Sequence, residues 1–174
     1  MNKGFTLIEL LVVAAITGII STFMLTSFQR TRLDLNESSN VFIADLRATQ
    51  SKALASTKFN SGSGLKIRCG YGIHYIDPTS YSVYVGPDAS LANCKSFNRN
   101  LDGEDATVKT YAFGNDKVEF KGSFNDIFWE PPHPYTYLNN SSTSASITIT
   151  IGKKGGACPG DCKTINVSTS GKIE

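Results

Sequence analysis

Few residues in this chain have types and spacings that could do chemistry. At the head, Met1-Asn2-Lys3-Gly4-Phe5-Thr6-Leu7-Ile8-Glu9 sets a base, a glycine and then a carboxylate ahead of an uncharged run, residues 10–29. A carboxylate in a low-dielectric layer is costly and needs a positive partner. Otherwise Glu9 must snorkel to an interface or sit at a helix N-terminus, where the macrodipole favours it. The second group is four cysteines, Cys69, Cys94, Cys158 and Cys162. An even count suits disulfides outside the cytoplasm. Cys158-Pro159-Gly160-Asp161-Cys162 encloses a turn, which allows a local bridge, and Cys69–Cys94 would close the longer loop. Reduced, inert thiols are the alternative. Zinc fits poorly, because His74 and His133 stand isolated and no paired Cys-x-x-Cys steps occur.

Other clusters are weaker. Asp102, Glu104 and Asp105 read as a solvated acidic loop without a metal-loop pattern. No serine has a nucleophile-elbow setting. Neither an enzyme, a cofactor nor a metal is expected. Lys153, Lys154, Lys163 and Lys172 could form a small basic patch toward the C-terminus. Four lysines without arginines or stacking aromatics fit a solvated surface better than a nucleic-acid site. Trp129-Glu130-Pro131-Pro132-His133-Pro134-Tyr135-Thr136-Tyr137 is stiff and aromatic. It reads as a rigid loop over a sheet edge, or as a contact surface.

The elements that must position these residues follow from the rest of the chain. With 174 residues, 40% of them hydrophobic and a net charge of +2, it is neither a disordered chain nor a uniformly basic nucleic-acid binder. Residues 10–29 contain no proline or charge, and roughly 20 such residues span the ~30 Å core of a bilayer. The run is too long for a cleaved signal peptide and lacks an A-x-A site. Beyond it, Leu35, Phe42, Leu46, Thr49 and Ala53 keep a helical stripe that predicts core packing. The stop falls at Asn60-Ser61-Gly62-Ser63-Gly64. One helix from Phe5 to about Thr57 would be roughly 80 Å long, too long for one small domain to bury. Strands are expected at 65–69, 71–76, 81–85, 107–113, 118–120, 147–151, 164–167 and 172–173, with long loops at 86–106 and 131–144. The expected class is α+β, a long N-terminal helix with a hydrophobic first half packed on a mostly antiparallel C-terminal β domain.

MNKGFTLIELLVV resembles the class III leader and N-terminal helix of type IV prepilins and type II secretion pseudopilins. The resemblance rests on Lys3, Gly4, Phe5 and Glu9 ahead of the apolar run. It implies cleavage after Gly4 by a prepilin peptidase and N-methylation of Phe5 by the same enzyme. It also implies that Glu9 meets the Phe5 amine of a neighbouring subunit during assembly. Residues 41–56, VFIADLRATQSKALAS, are similar to the helix of GspH/FimT-type minor pseudopilins and minor pilins. The chain departs from many pilins in having no proline in residues 5–58, leaving Gly18 as the one weak point.

The resemblance divides the chain into a leader (1–4), a transmembrane and filament-core helix (5–29), its amphipathic continuation (30–58) and a β-rich domain (59–174). It implies a structural subunit of a type IV pilus-like or type II secretion filament. The subunit would be anchored in the inner membrane by one span, with its β domain extracytoplasmic. The implied partners are other pilin or pseudopilin subunits, the prepilin peptidase/N-methyltransferase and the inner-membrane assembly platform. Some FimT-like minor pilins bind DNA for natural transformation, and the four lysines are the residues that reading would use. Residues 59–174 nevertheless carry as many acidic as basic side chains.

Overall fold

The structure, a computed structural model, describes residues 6–174 apart from 61, 63, 91–93, 115, 132–134 and 144–145, and leaves the side chains of 23–32 undescribed. Helix α1 runs unbroken through Leu7–Leu54, past Gly18. Thr6 caps it, Lys52 stands in its last turn beside the exposed carbonyls, and the chain leaves through Ala55 and a positive-φ Ser56. Its two halves differ sharply. Leu7, Ile8, Leu10, Leu11, Val12, Val13, Ile16, Ile19 and Ile20 are all exposed, whereas Leu35, Phe42, Leu46, Thr49 and Ala53 are buried. That buried set is the 3.6-residue stripe of the sequence, and the β domain covers it. Over the described residues no helix is long and apolar enough to cross a membrane. The expected span also includes Phe5 and residues 23–29, whose side chains lie outside the described set.

Ten strands follow: β1 (Phe59–Asn60), β2 (Leu65–Lys66), β3 (Tyr71–Asp77), β4 (Ser80–Val85), β5 (Ala106–Ala112), β6 (Val118–Phe120), β7 (Asp126–Glu130), β8 (Tyr135–Leu138), β9 (Ser146–Lys153) and β10 (Cys162–Ser168). They pair antiparallel in a β1-β2 ribbon, a three-stranded sheet ordered β10-β9-β6 and a five-stranded sheet ordered β5-β4-β3-β7-β8. The fold is the expected helix-plus-antiparallel-sheet architecture. Helix α1 lies over β3 and β7 of the larger sheet and over β6, β9 and β10 of the smaller. Phe42 is the hub, with its ring 4.9 Å from Tyr81 and 5.2 Å from Phe120, both edge-on. Such pairs add to the burial term. The Gln50 amide donates to the Gly171 carbonyl at 2.7 Å and ties the helix to the last turn of the chain.

Three expectations need correcting. Residues 131–144 are not one long loop, and the aromatic-proline segment is not a cover for a sheet edge. Phe128, Trp129 and Glu130 pair with Tyr137, Thr136 and Tyr135 in a β7–β8 hairpin, and β8 itself forms the edge. Only 132–134, between the strands, fall outside the described residues. Strand β7 is interior, between β3 and β8, and buried on both faces, so it shows no alternation. The expected strand at 65–69 shortens to β2, with a lone bridge from Arg68 to Asp88. Gly70 is required there: a Cβ would strike the Trp129 carbonyl and the Phe128 ring.

Candidate functional site

Glu9 closes a capping box. The Thr6 amide donates to its Oε2 at 3.0 Å and the Thr6 hydroxyl at 2.9 Å, while the Glu9 amide donates back to Thr6 Oγ1 at 3.4 Å. The local reason is the Thr-x-x-Glu spacing at the start of an apolar run. Oε1 takes no part in these bonds and Glu9 is exposed. The carboxylate therefore has one oxygen engaged with its own helix end and one outside the box. Gly4 and Phe5 lie outside the described residues.

Both cysteine pairs are bonded, Cys69–Cys94 and Cys158–Cys162, and no described cysteine is free. They differ in setting. Cys69 is buried, whereas Cys158 is exposed at the tip of the β9–β10 hairpin. There the bond packs on Gly152, where a Cβ would approach Cys162 Sγ within 2.7 Å.

The structure does not assemble the four C-terminal lysines into one free patch. Lys153 pairs with Asp161 at 2.8 Å and Lys172 with Glu174 at 2.5 Å. Lys154 and Lys163 are exposed on the β9 end and on β10. Two of the four charges thus face carboxylates, which lowers the field an incoming phosphate would meet.

Residues 98–105 are less simple than a solvated loop. Glu104 and Asp102 are exposed, and Asp102 accepts from the Glu104 amide and the Asn98 side chain. Asp105 instead is half-buried. Its Oδ2 accepts from the Asp102 amide at 3.0 Å, and its Oδ1 is buried with no hydrogen-bond partner. Burial, followed by the charges of Asp102, Asp126 and Glu104, pushes its carboxyl up to about 7 against the lowering effect of the Asp102 amide. Asp126 at the start of β7 is buried, bonded to His74 Nδ1 at 3.0 Å and to the Leu101 amide at 3.2 Å. Among the described residues no cluster of three or more His, Cys, Asp or Glu could hold a metal ion.

Arg99 was not singled out by the sequence. Its guanidinium lies 3.9 Å from the Tyr137 ring centre and 4.9 Å from that of Phe97, and gives two bonds to Glu130 Oε2 at 2.8 and 3.0 Å. The Tyr84 hydroxyl donates to the Arg99 carbonyl at 2.6 Å. This clamp holds the 94–105 segment on the outer face of β7 and β8. No local sequence signal announces it, because Glu130 and Tyr137, which hold the guanidinium, lie 31 and 38 residues away.

The head of the chain matches the prokaryotic N-terminal methylation motif over residues 1–25. That motif covers only the head of the chain, and the likeness to a solved structure concerns the fold. Among solved structures, the chain is similar to the type IV minor pilin FimU of Pseudomonas aeruginosa. The two share 16% sequence identity and a TM-score of 0.50, over 82% of this chain and 88% of that one. No curated protein matches the chain significantly in sequence.

Proposed function

We propose that the chain is a minor pilin or pseudopilin, a structural subunit of a type IV pilus-like or type II secretion filament. Prepilin peptidase removes residues 1–4 and methylates the new Phe5 amine. The helix then holds the subunit in the inner membrane until it is drawn into the filament through the assembly platform, with residues 59–174 outside the cytoplasm. The observation that carries this reading is the conjunction of the methylation motif with Glu9 at the head of one 48-residue helix. The first half of that helix presents apolar side chains on every described side, and the second half is buried by a β domain. An all-round apolar helix needs lipid or other helices around it.

Glu9 then acts through Oε1. The neighbour's Phe5 amine approaches the oxygen left outside the capping box, and the ion pair fixes the axial register of two subunits. In a layer without water such a pair persists because either charge alone is too costly.

The test is chemical. Mature protein from native membranes should begin at Phe5 with one added methyl by mass spectrometry. Gly4→Val should accumulate unprocessed, because a side chain at the cut blocks the peptidase. An intact Met1 in assembled filaments refutes the reading.

A further inference from the structure

The face of the larger sheet turned away from α1 carries a buried polar layer that the filament reading does not use. Ile73, Tyr81, Val83 and Ile127 belong to the core beneath the helix. The next residues along each strand point the other way, and there Ser82, His74 and Asp126 form one row across β4, β3 and β7. Ser82 and Asp126 are each 2% exposed. Residues 97–105 run over this face. Their first part is firmly pinned: Phe97 meets Phe128 edge-on at 5.4 Å, and Arg99 is clamped by Glu130 and Tyr137.

Residues 100–105 are held differently. The Leu101 amide donates to Asp126 Oδ1 at 3.2 Å, the Asp102 amide to Asp105 Oδ2 at 3.0 Å, and the Asp105 amide to the Asp102 carbonyl at 3.3 Å. Against these bonds stand three oxygens, Asp105 Oδ1, Asn100 Oδ1 and Ser82 Oγ, buried without a hydrogen-bond partner. Each such atom has lost water and gained nothing for it. The charged groups facing Asp105 are Asp102 and Glu104 of its own segment and Asp126 of β7. From β4 comes Tyr84, which burial keeps neutral and whose hydroxyl is spent on the Arg99 carbonyl. Two bases on this face are engaged elsewhere, His74 with Asp126 and Arg99 with Glu130.

We propose that residues 100–105 are a proton-operated flap, hinged between the Arg99 clamp and the start of β5, closed on the sheet while Asp105 holds a proton and lifting when that proton is lost. The proton turns Oδ1 from an acceptor without a donor into a donor, and it removes a charge that faces three carboxylates. Ionised, Asp105 recovers its hydration only by leaving the sheet. The closed flap keeps the proton up to about pH 7, whereas an open one loses it near the ordinary value of 3.8. Opening therefore becomes easier as pH rises between those values and levels off above them. Lifting uncovers Asp126, His74 and Ser82 on the side remote from α1, while the Arg99 clamp stays in place. The device does not depend on the filament reading.

The experiment is amide hydrogen exchange on the full chain in detergent, read residue by residue between pH 4 and 8 and corrected for the intrinsic rate. The Leu101, Asp102 and Asp105 amides should exchange well above the rates of Ile73 and Ile127, which lie in interior strands and open only with the domain. Their protection should fall by about tenfold from pH 4 to pH 8. Asp105→Asn should hold protection at pH 8 near the level of wild type at pH 4. Flap amides that exchange no faster than Ile73 and Ile127 would show that the segment opens only with the whole domain, and would overturn the flap. A wild-type profile flat with pH would overturn the proton's part in it, and that profile decides even where the variant folds poorly. A folded Asp105→Asn that keeps the wild-type pH profile would overturn the assignment to Asp105.

Discussion

Asp105→Asn should stabilise the folded domain at pH 8 and have little effect near pH 4. The carboxyl is raised to about 7 by burial, from an ordinary value of 3.8. As pH rises from about 4 toward 7, the unfolded chain releases this proton and the folded chain keeps it. Stability therefore falls across that window and levels off above it. The full shift is a ceiling of about 4 kcal/mol at ~1.4 kcal/mol per unit. Because the side chain is half-exposed, solvent screening cuts this to roughly 1–2 kcal/mol. Asparagine keeps an acceptor for the Asp102 amide and places an uncharged NH₂ where Oδ1 is buried without a partner. Residues 30–174 retain the whole buried core, from Leu35 to Val167. In that fragment the urea midpoint of the variant should exceed wild type at pH 8 by about 0.5–1 M, for an m-value of about 2 kcal/mol/M. The difference should fall to about a third by pH 5 and close near pH 4. The lowered carboxylates, Asp77, Asp88 and Glu119, act only at more acid pH and are common to both proteins. Parallel pH profiles for wild type and variant between 5 and 8 would refute the reasoning.

The remaining predictions concern packing, bridges and assembly. Phe42→Ala empties the contact point of helix and both sheets and should cost about 3–5 kcal/mol by chemical denaturation; a loss under 1 kcal/mol would mean that the helix is not clamped there. Mild reductant should open Cys158–Cys162 well before the buried Cys69–Cys94, as read by differential alkylation and mass spectrometry. Replacing Cys69 and Cys94 together should cost about 3 kcal/mol from loop-closure entropy. Glu9→Ala should still reach the membrane but enter filaments poorly. Normal incorporation in the sheared fraction would limit Glu9 to helix capping.

Much of this architecture is legible in the sequence because its periods are clean. The stripe from Leu35 to Ala53 repeats at 3.6 residues and is buried residue for residue. Tyr71–Ile76 and Tyr81–Val85 lie within β3 and β4, joined by the Asp77-Pro78-Thr79 turn in which Asp77 accepts from the Thr79 amide. What sequence could not give is pairing at a distance. Strand β7 is hidden because Asp126, Ile127, Phe128 and Trp129 are all buried, so polarity does not alternate. The prolines after it mask the hairpin. The four C-terminal lysines read as a solvated surface rather than a nucleic-acid site, and the sequence does not show that Asp161 and Glu174 pair with two of them. The same holds for Asp105, whose neighbours in sequence are exposed acids and whose burial comes from the sheet behind it.

The unbroken passage of α1 through Gly18 has a mechanical consequence. Thr17, Ser21 and Thr22 turn their hydroxyls back onto the carbonyls of Val13, Thr17 and Gly18, at 2.9, 2.7 and 2.9 Å. These bonds satisfy each hydroxyl within its own helix, so none needs a neighbour or water, and they share carbonyls already used by the ladder. With no proline between residues 5 and 58 to break the ladder, this hydroxyl-rich turn is where the rod bends most easily.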